Sequence, residues 1–137
     1  MKKFVFAAFL FPVLLSAQEP PSLDSIKKYI SSGHDTSRAK AYLEWGSLVH
    51  LNQPDSAMML WNKSAEIASG QLKNKNLSPD LALTYKKIYS EAINGIGFCY
   101  SNLGNIAKSL ECYQISFNLC AETGDKLGEA TCMNNIG

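Results

Sequence analysis

From Ser22 onward, apolar side chains recur at three- and four-residue spacing, broken at intervals by Pro, Gly, Asn and Asp. A 3.6-residue turn brings positions i, i+3, i+4 and i+7 to one face, so this pattern predicts amphipathic helices. Ser22 can cap a first helix carrying Leu23, Ile26, Tyr29 and Ile30, which ends near Ser32-Gly33. Asp35 or Thr36 is expected to cap a second over roughly 37–51, with Ala41, Tyr42, Trp45, Leu48 and Val49 in its stripe. Asn52-Gln53-Pro54 breaks that helix and opens a third, because proline at the first helical position loses no hydrogen bond. The third should bury Ala57, Leu60, Trp61, Ala65, Ile67 and Ala68 and end near Ser69, leaving a polar loop from Gly70 to Leu77.

Ser78-Pro79-Asp80 supplies cap, proline and first-turn acid for a long fourth helix. Its stripe runs Leu81, Tyr85, Ile88, Tyr89, Ala92, Ile93, Ile96, Tyr100 and Leu103. Gly104 ends it, and Asn105 caps a fifth helix with Leu110, Tyr113, Phe117 and Leu119. Gly124-Asp125 then starts a sixth, striped by Ala130, Met133 and Ile136. No segment alternates with period two for long enough to make a strand, so the predicted fold is all-α.

The chain also repeats itself. Asn94-Gly95-Ile96-Gly97 returns as Asn134-Asn135-Ile136-Gly137, a period of 40 residues. Gly46 answers to Gly97, and Ala57, Trp61, Ser64 and Ile67 answer to Ser109, Tyr113, Ser116 and Leu119. A fixed period of this size signals helix pairs that bury their apolar faces against one another in an α-solenoid. A mid-helix glycine costs about 1 kcal/mol relative to alanine, so its recurrence implies a shared steric demand. Gly46, Gly97 and Gly137 are expected to form notches that admit a partner aromatic, Trp61 or Tyr113. The expected units are 37–69, 79–122 and an incomplete 125–137, preceded by a linker and first helix over 18–36.

Ile93, Ile96-Gly97, Tyr100, Gly104, Ser109, Tyr113 and Ser116 resemble the signature of the tetratricopeptide repeat, in a long-period variant. The resemblance covers about 37–137 and implies a superhelix of antiparallel helix pairs. The chain departs from the pattern in the serines at 109 and 116, in its period, and in Glu122-Thr123-Gly124-Asp125 where the family usually has proline. The N-terminal half, with Leu23-Asp24-Ser25, Asp35-Thr36 and Pro54-Asp55-Ser56-Ala57, is similar to the exported sensory segment of Bacteroidetes-type repeat signalling proteins. In those proteins the repeats commonly precede a membrane helix and a kinase or DNA-binding output domain. The family geometry implies a peptide-binding groove lined by the first helix of each pair, and by position that nominates Asn94, Phe98, Ser101 and Asn134.

Composition adds the compartment. Met1-Lys2-Lys3, the apolar run Phe4 to Leu15 and the small residues Ser16-Ala17 have the form of a secretory signal over 1–17, with an uncleaved anchor or buried helix as the alternative. The expected destination is the periplasm or the outer side of the inner membrane. Cleavage takes Lys2 and Lys3 from the 13 basic residues, leaving 11 against 12 acidic ones, a net of −1. A near-neutral chain carries no electrostatic footprint for nucleic acid or an anionic membrane surface. Membrane association is expected only through a segment beyond these residues.

Candidate chemistry is sparse. Gly95-Ile96-Gly97 lacks the third glycine and the preceding strand of a dinucleotide loop. His34 and His50 have no neighbouring ligand set or nucleophile, and the four cysteines, Cys99, Cys112, Cys120 and Cys132, include no C-x-x-C. They are either free thiols or contain one bridge between neighbouring helices. No catalytic residue, metal or cofactor is expected. Asn62-Lys63-Ser64 and Asn76-Leu77-Ser78 match a short glycan-acceptor pattern. The expected function is a non-enzymatic scaffold that binds a protein or peptide segment. Self-association through an open C-terminal face at Met133 and Ile136 is the alternative, and an enzyme with an unrecognised site the remote one.

Overall fold

A computed structural model describes residues 22–137, and the expected signal segment lies outside them. Within the described residues the protein is all helical: α1 (Leu23–Ser32), α2 (Asp35–Val49), α3 (Pro54–Leu72), α4 (Pro79–Asn102), α5 (Ile106–Thr123) and α6 (Lys126–Ile136). Local chemistry sets most boundaries. The side chains of Ser22, Ser78, Asn105 and Asp125 accept hydrogen bonds from Ser25, Leu81, Lys108 and Gly128 N–H groups, relieving the orphan donors of four helix starts. Pro54 and Pro79 open α3 and α4. Gly124 ends α5 at φ +70°, a left-handed conformation that any side chain would strain.

Three boundaries differ from the sequence expectation, since α2 starts and ends two residues early and α3 runs on past Ser69. Helix α2 begins at Asp35 with His34 in the cap position and no side-chain cap. The Asp35 carboxylate turns instead to Arg38 Nη1 at 3.1 Å and to Gln71 Nε2 at 2.6 Å. That second bond reaches across to α3 and helps carry it past Gly70 to Leu72, where a loop was expected. Leu72 and Leu77 close over a core of Ala39, Ala68, Tyr85 and Ile88, giving the extra turn apolar contacts that local propensity does not register.

Each helix packs on its neighbours in the chain, and α2 also touches α4, as α4 touches α6. A second core cluster, Ala57, Trp61, Ala65, Ala92, Ile96 and Cys99, joins α3 to α4. Some expected stripe residues stay outside: Leu81, Leu103, Leu110, Met133 and Ile136 are exposed, whereas Ala39 and Cys132 are buried.

Candidate binding clefts

The spacing between α2 and α4 is set by Trp61 of α3, which is 5% exposed. Its Nε1–H donates to the Leu43 carbonyl of α2 at 3.2 Å. A Cβ added to Gly46 would lie 2.6 Å from Trp61 Nε1, and one added to Gly95 would lie 2.6 Å from Trp61 Cδ2. The indole is therefore wedged between two backbones, and both helices need glycine where they meet it. Gly97 similarly faces Tyr113, with a notional Cβ 2.9 Å from the ring. Gly137 has φ +68° and no heavy atom within 4 Å of its notional Cβ. Tyr100 is half-buried, with the Lys108 ammonium 5.2 Å over its ring.

A pair of buried serines repeats a single contact. Ser64 Oγ donates to the Ala39 carbonyl and Ser116 Oγ to the Ser90 carbonyl, each at 2.8 Å. Both bonds run from the second helix of a pair to the first. Ser109 Oγ adds a bond to the Gly97 carbonyl at 2.9 Å. Serine fits these crossings because it is nearly as small as alanine and its hydroxyl finds an acceptor, so no buried side-chain nitrogen or oxygen is orphaned among the described residues.

Wedging leaves a cleft of about 610 Å³ between α2 and α4. Leu43, Leu48 and Ile88 give it an apolar lining, and Lys40, Lys87, Glu44 and Glu91 bring charges of both signs. Glu91 also lines the smaller cleft of about 240 Å³ between α4 and α6, with Asp125. Burial, and next the Asp125 carboxylate, push the Glu91 carboxyl above its ordinary 4.5, against the pull of Lys40 and Lys87. A carboxyl raised in the folded state favours folding while protonated. Its contribution is full below the unfolded value of 4.5 and is lost as pH rises through the folded value. Glu91→Gln should therefore stabilise the protein at neutral pH, and the gain should vanish below pH 4.5. Thermal melts of both chains across that range check the sign.

The sequence-nominated groove residues do not share one cavity. Asn94 lines the α4–α6 cleft, where its Oδ1 accepts from Asn135 Nδ2 at 3.1 Å. Phe98 lines a separate recess of about 260 Å³ beside His50. Ser101 and Asn134 are exposed and line neither. The charged residues of the α2–α4 cleft were not singled out as a site from the sequence. Lys40, Glu44, Lys87 and Glu91 read as ordinary solvated positions until α2 and α4 are seen side by side.

Other chemistry is muted. All four cysteines are free, and burial raises the thiols of Cys99, Cys112 and Cys120, which keeps them protonated at neutral pH. Among the described residues no group of three His, Cys, Asp or Glu is placed to hold a metal ion, and no helix is long and apolar enough to cross a membrane. Comparison with protein-family models, curated proteins and solved structures returns no match.

Proposed function

We propose that the chain is a non-enzymatic binding scaffold of tetratricopeptide-like helix pairs that holds an extended segment of a partner protein in the α2–α4 cleft. The observation that carries this reading is the cleft itself, a recess of about 610 Å³ with an apolar lining and exposed charges of both signs between two helices that Trp61 props apart. The repeated serine bonds support a stacked, solenoid-like arrangement, since the same joint closes successive pairs. Glu91 supports a binding role. It lies between the two clefts and has no ion-pair partner within 4.0 Å among the described residues, so its carboxylate is open to a ligand's donor. The export-type N-terminus and the sensory-segment resemblance favour an exported scaffold, the sensory or interaction portion of a signalling protein.

Selection of a displayed peptide library on the immobilised protein tests the reading. Related sequences should be enriched, and their binding should be lost in Leu48→Asp, a substitution at an exposed cleft position that folding tolerates. Failure to enrich any sequence, or binding indifferent to Leu48→Asp, would overturn it. A second reading, self-association, is favoured by the exposed Leu127, Met133 and Ile136 of α6. Sedimentation equilibrium separates the two: self-association through α6 gives an oligomer that Met133→Asp dissociates, whereas a cleft scaffold sediments as a monomer and keeps its peptide binding in Met133→Asp.

A further inference from the structure

The recess beside Phe98 is distinct from the main cleft and has its own chemistry. It lies between the end of α2, the start of α3 and the end of α4, and its volume is about 260 Å³. That is below the roughly 300–1,000 Å³ of small-molecule sites and suits a single side chain. Leu51, Leu103 and Phe98 remain 79%, 67% and 40% exposed around it. The His50 ring stands 5.9 Å from Phe98, edge-on, and 5.9 Å from Trp61 behind it. His50 Nδ1 sits 2.7 Å from the Ser47 carbonyl, so this nitrogen donates and the ring is held in place. Asp55 supplies the only formal charge on the lining and has no ion-pair partner within 4.0 Å among the described residues. Asn102 adds an amide.

We propose that this recess is an anchor pocket for an arginine side chain of the segment bound in the α2–α4 cleft, an inference that rests on the cleft reading above. An arginine stem covers apolar wall, its planar guanidinium stacks on aromatic rings, and its fork of donors matches a carboxylate. A phenylalanine or leucine would satisfy the walls but leave Asp55 facing an apolar group. A lysine ammonium is more strongly hydrated and lacks a stacking plane. The pocket lies further along the same two helices as the cleft. His50 is one helical turn, about 5 Å, beyond Ser47 of the cleft wall, and Phe98 is two turns, about 10 Å, beyond Glu91. An extended chain advances about 3.3 Å per residue, so the arginine falls about three residues from the group that faces Glu91.

The test is a titration of the ¹⁵N-labelled protein with N-acetyl-arginine amide, followed by amide chemical shifts. Saturable shifts are expected at Leu51, Met58, Phe98 and Leu103. The citrulline analogue, which has the same shape without charge, and Asp55→Asn should each weaken binding about fivefold, as for a partly exposed ion pair, and Asp55→Glu should restore it. Asp55 is exposed, and an unchanged melting temperature of Asp55→Asn confirms that the fold is intact. No saturable shift, citrulline as strong as arginine, tighter binding of the phenylalanine analogue, or indifference to Asp55→Asn would overturn the pocket. Tighter binding of free arginine than of the blocked amide would also overturn it, since that marks a metabolite site. Leu48→Asp should leave the arginine titration unchanged. If library peptides bind the cleft and arginine does not bind the pocket, the pocket falls and the cleft reading stands.

Discussion

Trp61→Ala should lower folding stability by about 3–5 kcal/mol, the range for deleting a large buried aromatic. The ring is 5% exposed, sits in the cluster that joins α3 to α4, and carries a hydrogen bond to the Leu43 carbonyl at 3.2 Å. Its loss empties the wedge between two glycines, and backbone cannot move in to refill it without shifting α2 against α4. Domains of this size have about 5–15 kcal/mol of stability in all, so the variant should be marginal at room temperature. Urea unfolding followed by far-ultraviolet circular dichroism checks the magnitude. A loss below about 1 kcal/mol, the scale of an average substitution, would mean that the indole does not set the helix spacing. Because the wedge also defines the cleft, peptides selected on the native protein should lose affinity for whatever fraction of the variant still folds.

The helices were legible because their signals are local. Cap residues, first-turn prolines and a 3.6-residue apolar period act within one or two turns, and the boundaries at Ser22, Ser78, Asn105 and Asp125 follow from them. Where a contact between distant residues decides, the sequence is silent. The bond from Gln71 to Asp35 spans 36 residues, and it accompanies a helix end that composition places three residues earlier. Ala39 was left out of the α2 stripe, yet it lies buried where Ser64 crosses it. Cys132, not the larger Met133, faces inward, because a small side chain is what fits beside Ser116, with Sγ 3.2 Å from its hydroxyl. The cleft was hidden for a related reason. Its charges, Lys40 and Glu44 on one helix and Lys87 and Glu91 on the other, are more than forty residues apart in sequence, and each helix alone shows only a solvated face. Serine at 109 and 116, a departure from the family pattern in sequence, becomes intelligible once the accepting carbonyls of Gly97 and Ser90 are in view.

Gly95 is the residue whose role most needed the structure, and Gly95→Ala should destabilise the protein by about 1–2 kcal/mol. In an open helix the same change would gain about 1 kcal/mol from helix propensity, so the sign depends on packing. The added methyl would stand 2.6 Å from Trp61 Cδ2 and 2.7 Å from Cε3, well inside contact distance. The indole has nowhere to retreat, since Gly46 presses on its pyrrole edge from the other helix. Overpacking of that kind costs about 1–3 kcal/mol and more than cancels the propensity gain. The decisive measurement is a double-mutant cycle with Trp61→Leu. Shrinking the wedge removes the clash, so Gly95→Ala should become neutral or stabilising in that background, with a coupling energy well above the few tenths expected of independent sites. If Gly95→Ala stabilised the native chain, Trp61 would have room to spare, and neither the wedge nor the cleft it holds open would have a steric cause.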